Sequence, residues 1–219
     1  MSQHLIRQID TLKQKILYEG TCVEDAIAQA VQSLINRDRV LASEVIQHDD
    51  EIDRLEVEIE EECLKTLALY QPVAADLRFV VAILKINNDL ERIGDLATNI
   101  AKRAISLADA DYADMVPDIR TMANKAQSMV KASLDALVSQ DSRLARRVRE
   151  DDDIVDNMRR DIQTKVKEHL RQFPQDFENW SKISSASRHI ERVADMATNI
   201  AEEVVYMAEG AIVRHHPQE

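Results

Sequence analysis

The twelve residues LERIGDLATNIA, Leu90 to Ala101, return one hundred positions later as IERVADMATNIA, Ile190 to Ala201, with eight identities. Within them Glu91, Asp95 and Asn99, and again Glu191, Asp195 and Asn199, stand at four-residue steps. On a helix that spacing stacks side chains along one face. A second matched pair lies upstream: Asp49 and Asp53 correspond, at an offset of 103, to Asp152 and Asp156. Two neighbouring helices carrying these residues bring four carboxylates and an amide to one patch in each half. Crowded carboxylates repel unless a cation compensates, and an oxygen-only donor set suits iron, Mn, Mg or Ca better than zinc. The expectation is a divalent or trivalent metal cluster on the surface of each half, with Asn99 and Asn199 as supporting residues. Neither copy carries the ExxH pairing of ferritin-like sites.

A plainer reading competes. With 31% charged residues, acids at helical spacing are commonly a solvated face. Repetition argues for more, because KINND (Lys85 to Asp89) has become SASRH (Ser185 to His189) while the Glu/Asp/Asn spacing stays. Arg92 and Arg192 are candidates for pairing with nearby acids, and the two Asn for bonds between helices. His48 and His189 have no counterparts in the other half and are read as surface residues. The acids of DDEID, EIEEE and EDDDIVD outside the paired positions are read as solvated charge, so Glu60 to Glu62 form a useful control.

The elements that must position these groups are helical. Only three Gly and four Pro punctuate 219 residues, and aromatics are 4%. Such a composition favours an all-α chain over a sheet protein. Ile83, Ile86, Leu90, Ile93, Ala97, Ile100, Ala104 and Leu107 alternate steps of three and four, and adding one hundred to each number gives an apolar residue every time. Each half therefore has a third helix of one design. Its second helix carries Leu41, Val45, Ile52, Leu55, Ile59 and Cys63, or Leu144, Val148, Val155, Met158, Ile162 and Val166. Asp38 and Asp141 are the expected N-caps of these second helices. First helices are expected near 4–36 and 115–139, the earlier one kinked or divided at Gly20, where TCVE resembles a capping box. QPVAAD and FPQD mark the turns into the third helices. The predicted fold is all-α, with six long helices in two pseudo-symmetric three-helix bundles. Residues 1–108 and 118–219 form the halves, and 109–117 the connector.

Charge and cysteine usage narrow the partners. Forty acids against 28 bases give a net charge of −12, which repels nucleic acid and anionic lipid and favours cations and basic protein surfaces. No stretch is apolar enough for a direct membrane span. Cys22 and Cys63 lack a CxxC or metal-ligand spacing, and MSQHLIRQIDTLKQK lacks the apolar run of a signal peptide, so a cytoplasmic protein with reduced thiols is expected.

DDEID, the DLR at Asp76 to Arg78, LERIGDLATNI and IERVADMATNI together make the chain resemble the PhoU family of phosphate-signalling regulators over nearly its whole length, as two tandem repeats. The resemblance implies a cytosolic negative regulator of the phosphate-starvation response and of high-affinity phosphate uptake. It implies a metal-binding adaptor, working as a homodimer, between the ATPase subunit of the phosphate ABC transporter and a sensor histidine kinase. Such a protein would lie peripheral to the inner face of the membrane through those partners. It also assigns metal binding to Asp49, Asp53, Glu91, Asp95, Asp152, Asp156, Glu191 and Asp195. The departures are Ala194 where the first copy has Gly94, and DFE at Asp176 to Glu178 where the first half has DLR. No nucleophile with its base and no phosphate-cradling Gly loop stands in the chain, so a non-enzymatic regulator is the first reading. A carboxylate-bridged metalloenzyme of helical-bundle type is the alternative, and a plain helical scaffold the third.

Overall fold

A computed structural model describes residues 3–210. Among them six long helices run in sequence and no strand occurs: α1 (Gln3–Asn36), α2 (Arg39–Tyr70), α3 (Ala74–Leu107), α4 (Val116–Ser139), α5 (Ser142–Gln172) and α6 (Phe177–Glu209). The ends of the two expected halves, 1–2 and 211–219, lie outside the described residues. Helices α1 to α3 pack on one another, as do α4 to α6.

Capping chemistry places the second helices. Asp38 Oδ1 accepts from the backbone N–H groups of Val40 and Leu41 at 2.9 and 3.0 Å, and Asp141 Oδ1 from those of Arg143 and Leu144 at 2.9 and 3.1 Å. Each satisfies donors that the first turn leaves unpaired. The preceding helices stop in the left-handed region at non-glycine residues, Arg37 at φ 58° and Gln140 at φ 53°. At the QPVAAD turn α2 gives way to α3, and FPQD forms a short 3-10 turn, Pro174–Asp176, that leads into α6.

The third helices form the middle of the molecule. All eight stripe residues of α3 are fully buried, and the eight of α6 are at most 6% exposed. Helix α3 packs along α6, and α1 also meets α4, so one continuous apolar core runs through both repeats. Lys85 on α3 pairs with the buried Glu203 on α6 at 3.3 Å across this junction. The connector turns tightly at Ala113–Met115 and is itself anchored: Tyr112 is buried, donates its hydroxyl proton to the Leu34 carbonyl, and lies under the Arg37 guanidinium.

One expectation fails. Helix α1 passes through Gly20 without interruption, and the Thr21 hydroxyl donates to Leu17 O at 3.0 Å within the helix instead of capping a new one. Gly20 serves packing: a Cβ there would sit 2.9 Å from Leu134 Cδ1 on α4. Gly20→Leu is therefore expected to overpack the α1–α4 contact and lower stability by about 1–3 kcal/mol in urea unfolding, despite the better helix propensity of Leu. Wild-type stability in that variant would mean that α1 and α4 part freely there.

Candidate metal sites

In the first half the acids of α2 and α3 face one another. Asp49 is half-buried, and burial is the main reason its carboxyl is raised above the ordinary range; Asp53 and Asp95 raise it further, while Thr98 and Lys102 oppose them. Glu91 is raised in the same way, by burial first, then by Asp95, Asp53 and Glu56, with Arg92 opposing. The approach depends on Gly94, where a Cβ would meet Ile52 at 3.1 and 3.2 Å and Asp49 Oδ1 at 3.5 Å. The carboxylate of Asp49 thus lies directly over the α3 backbone.

The second half repeats the arrangement between α5 and α6. Asp152 is pushed up to about 6 by burial and by Asp195, Asp156 and Asp153, and its Oδ1 is buried without a hydrogen-bond partner among the described residues. Glu191 and Asp195 are also raised by burial, each further raised by Asp156. The eight expected acids thus form two groups of four, one per half.

Among the described residues no three acidic, His or Cys side chains yet converge into a coordination sphere. The groups are paired across helices rather than closed on a point.

Several residues that matter were not singled out in the sequence. Thr98 and Thr198, not the Asn beside them, stand next to Asp49 and Asp152, because seven residues along a helix from Glu91 or Glu191 return to the same face. Thr-Asn is identical in both copies, so the signal was present. Asn199 instead lines a groove between α3 and α6 with Arg92 and Glu202, and its amide reaches the Met196 sulfur at 3.8 Å; Asn99 is half-buried. Glu19 on α1 is fully buried, and neither of its carboxylate oxygens has a hydrogen-bond partner among the described residues. Its pKa is raised to about 9 by burial, with Glu56 and Glu91 adding to it, so it lies behind the first-half acids.

The two histidines divide. His48 is exposed, as expected. His189 is not a surface residue: it is half-buried, and desolvation together with Arg103, Arg188 and Arg192 lowers it to about 4. Three guanidinium groups thus act on the ring, and Ser185 Oγ lies 3.4 Å from its Nε2. At DFE, Asp176 pairs with His169 at 2.7 Å, and that ring stacks on Trp180 at 3.6 Å, whereas Arg78 of DLR lies against the end of α6 at Gly210. The two turns therefore make different contacts.

The family model described as "PhoU domain" matches this chain twice, over 17–104 and 119–204, one match on each side of the connector. The chain belongs to the PhoU family. A PhoU relative from Aquifex aeolicus, named "Phosphate-specific transport system accessory protein PhoU homolog", is 39% identical over 96% of this chain and 96% of its own. The crystal structure of PhoU from Pseudomonas aeruginosa superposes with a TM-score of 0.91 at 35% identity, covering 94% of this chain and 99% of that one. That of the phosphate transport system regulatory protein PhoU from Streptococcus pneumoniae gives 0.86 at 28% identity, covering 95% and 99%. The tandem PhoU repeat, its six helices and its central third helices are thus properties of a known architecture.

The donor set fits a hard cation. Every acid in both groups offers oxygen, Thr98 and Thr198 add hydroxyls, and buried oxygens of Glu19 and Asp152 have no hydrogen-bond partner among the described residues. Among the described residues no helix is long and apolar enough to cross a membrane.

Proposed function

We propose that this chain is a non-enzymatic accessory protein of phosphate transport, holding hard metal ions on its acidic faces and acting as an adaptor. In this reading it restrains the phosphate-starvation response and high-affinity uptake when phosphate is plentiful. It does so by docking both the ATPase subunit of the phosphate ABC transporter and the sensor histidine kinase of the phosphate two-component system. The observation that carries the reading is the doubled acidic face on a PhoU scaffold: two opposed carboxylate groups, one per half, on a chain of net charge −12. Such faces recognise cationic or metal-bridged surfaces, where charge sets encounter rate and specificity more than raw affinity. The names of the relatives supply the phosphate-transport context. Against the metalloenzyme alternative stands the groove beside Asp49, lined by Cys22, His48 and Thr98. At about 220 Å³ it falls below the roughly 300–1,000 Å³ usual for small-molecule sites, and the roomier groove of about 500 Å³ between α3 and α6 is lined by none of the eight acids.

The test is capture of the two named partners from phosphate-rich cells by wild type and by a variant with Glu91→Ala, Asp95→Ala, Glu191→Ala and Asp195→Ala. The variant is expected to keep its helical circular dichroism and lose capture at least tenfold, while Glu60→Ala/Glu61→Ala changes capture less than twofold. Equal capture by the folded four-acid variant would remove the acidic faces from the docking mechanism.

A further inference from the structure

The two acidic faces differ in charge at matched repeat positions. The offset of 103 that relates Asp49 to Asp152 runs through the first helices as well, pairing buried Ile16 with Ile119, Ile27 with Val130 and Leu34 with Leu137. On that register Glu19 corresponds to Met122, Glu56 to Arg159 and Val57 to Arg160. The exchanges at 56/159 and 57/160 put positive charge on the second face where the first has a carboxylate or an apolar group, and the exchange at 19/122 puts a buried carboxyl behind the first.

Arg159 sits inside the second face. Its Nε lies 2.9 Å from Glu191 Oε2, both side chains being about 20% exposed, and its charge also acts on Asp195. Arg160 adds a more exposed contact to Asp156 at 3.3 Å. The surrounding pairs continue the pattern: Lys125 meets Asp151 at 2.7 Å and Arg149 meets Glu202 at 3.3 Å, where the first half has Cys22 with His48 and Ile46 with Lys102. A planar guanidinium between carboxylates supplies in fixed form the compensation that a cation would otherwise bring.

The first face has no such filling. Its cations are Lys102 near Asp49 and Arg92 near Glu91, and Arg92 has its own equivalent, Arg192, in the second half. Against them stand Asp49, Asp53, Glu91, Asp95 and Glu56, backed by the fully buried and unpartnered Glu19. Asn87, whose amide donates to the Glu56 backbone carbonyl at 2.9 Å, holds α2 and α3 together at this level, where α6 has Ser187. Five carboxylates thus meet two cations here, with the Glu19 carboxyl buried behind them, while the second face, with Asp153 included, sets five against three.

We infer that the two PhoU repeats of this chain are not equivalent metal sites: the first face is the tight site for a hard divalent or trivalent cation, and Arg159 stands in for that cation in the second. The inference rests on the metal-binding part of the proposed function and adds to it which half binds and why. It assigns opposite roles to residues at one repeat position: Glu56 draws a cation in, and Arg159 keeps one out.

The experiment is Mn²⁺ titration of untagged, chelator-stripped full-length protein at neutral pH, with free Mn²⁺ read by electron paramagnetic resonance and retained metal by mass spectrometry. Wild type is expected to show a tight class that Glu91→Ala/Asp95→Ala weakens at least tenfold and Glu191→Ala/Asp195→Ala leaves within twofold. Arg159→Glu is expected to create a second class at least tenfold tighter than wild type shows there. Arg159→Gln, which removes charge without adding any, should give a smaller gain in the same direction and guards against misfolding of the Glu variant. Two equal classes in wild type, each lost with its own acid pair, overturn the inference and leave the metal reading intact. No gain in either folded Arg159 variant also overturns it. Absence of Mn²⁺ binding by wild type removes the metal reading and the inference with it.

Discussion

Glu19→Gln is expected to raise the unfolding free energy of metal-stripped protein at pH 8 by several kcal/mol, an unusual gain for one substitution. The reason is a carboxyl held at about 9, against 4.5 for an ordinary glutamate, by complete burial and by the neighbouring Glu56 and Glu91. Below the lower value both folded and unfolded chains hold the proton, and nothing is lost. Between the two values the unfolded chain releases it while the folded chain keeps it, so stability falls as pH rises, by up to roughly 1.4 kcal/mol per pH unit. Gln keeps the size and hydrogen-bonding capacity of the neutral acid and removes the titration. The gain should therefore be below about 1 kcal/mol at pH 5 and on the order of 4 kcal/mol at pH 8. Urea unfolding of both proteins at the two pH values measures it, with exposed Glu60→Gln as the control expected to move stability within about 0.5 kcal/mol. A gain of the same size at both pH values, or none at pH 8, would show that Glu19 is not the strained acid its surroundings imply.

Glu19 also marks where the sequence ceased to be legible. The third-helix stripes, the N-caps Asp38 and Asp141 and the two groups of acids follow from periodicity and repetition, because each rests on a pattern local to one helix or copied in the other half. Gly20 and Glu19 rest on neither. They sit side by side on α1, and what fixes their roles is the approach of α4 to one and of the α2–α3 acids to the other. Read alone, GTCVE resembles a helix start. Read against the second half, Glu19 falls opposite buried Met122, which reveals a glutamate on a core position. Arg159 escaped for the reverse reason. Its position is one where the repeats differ, and the difference at 56 and 159 reverses the charge within each face. His189 likewise reads as a surface residue because no histidine stands at its counterpart, Asp89, yet it is half-buried, with Arg103 of the neighbouring helix close enough for its charge to act on the ring.

Leu90→Ala and Ile190→Ala are each expected to cost about 2–5 kcal/mol, and either should destabilise both halves together. Leu90 is fully buried and Ile190 only 2% exposed, at equivalent repeat positions of helices α3 and α6, which pack against each other along the middle of the molecule. A repeat protein whose halves met only at a polar seam would unfold in two steps. Here the core is continuous, with α1 against α4 and the Lys85–Glu203 pair bridging α3 and α6, so neither half can open without exposing apolar surface of the other. The single tryptophan, Trp180, lies in the second half and reports on it alone, whereas far-ultraviolet circular dichroism reports on all six helices. In Leu90→Ala the fluorescence transition of Trp180 must therefore move by the same amount as the helical transition, although the substitution lies in the other repeat. A fluorescence midpoint left at its wild-type value while helicity shifts would separate the halves energetically. Coincident shifts would show that the two repeats unfold as one cooperative unit through their shared core.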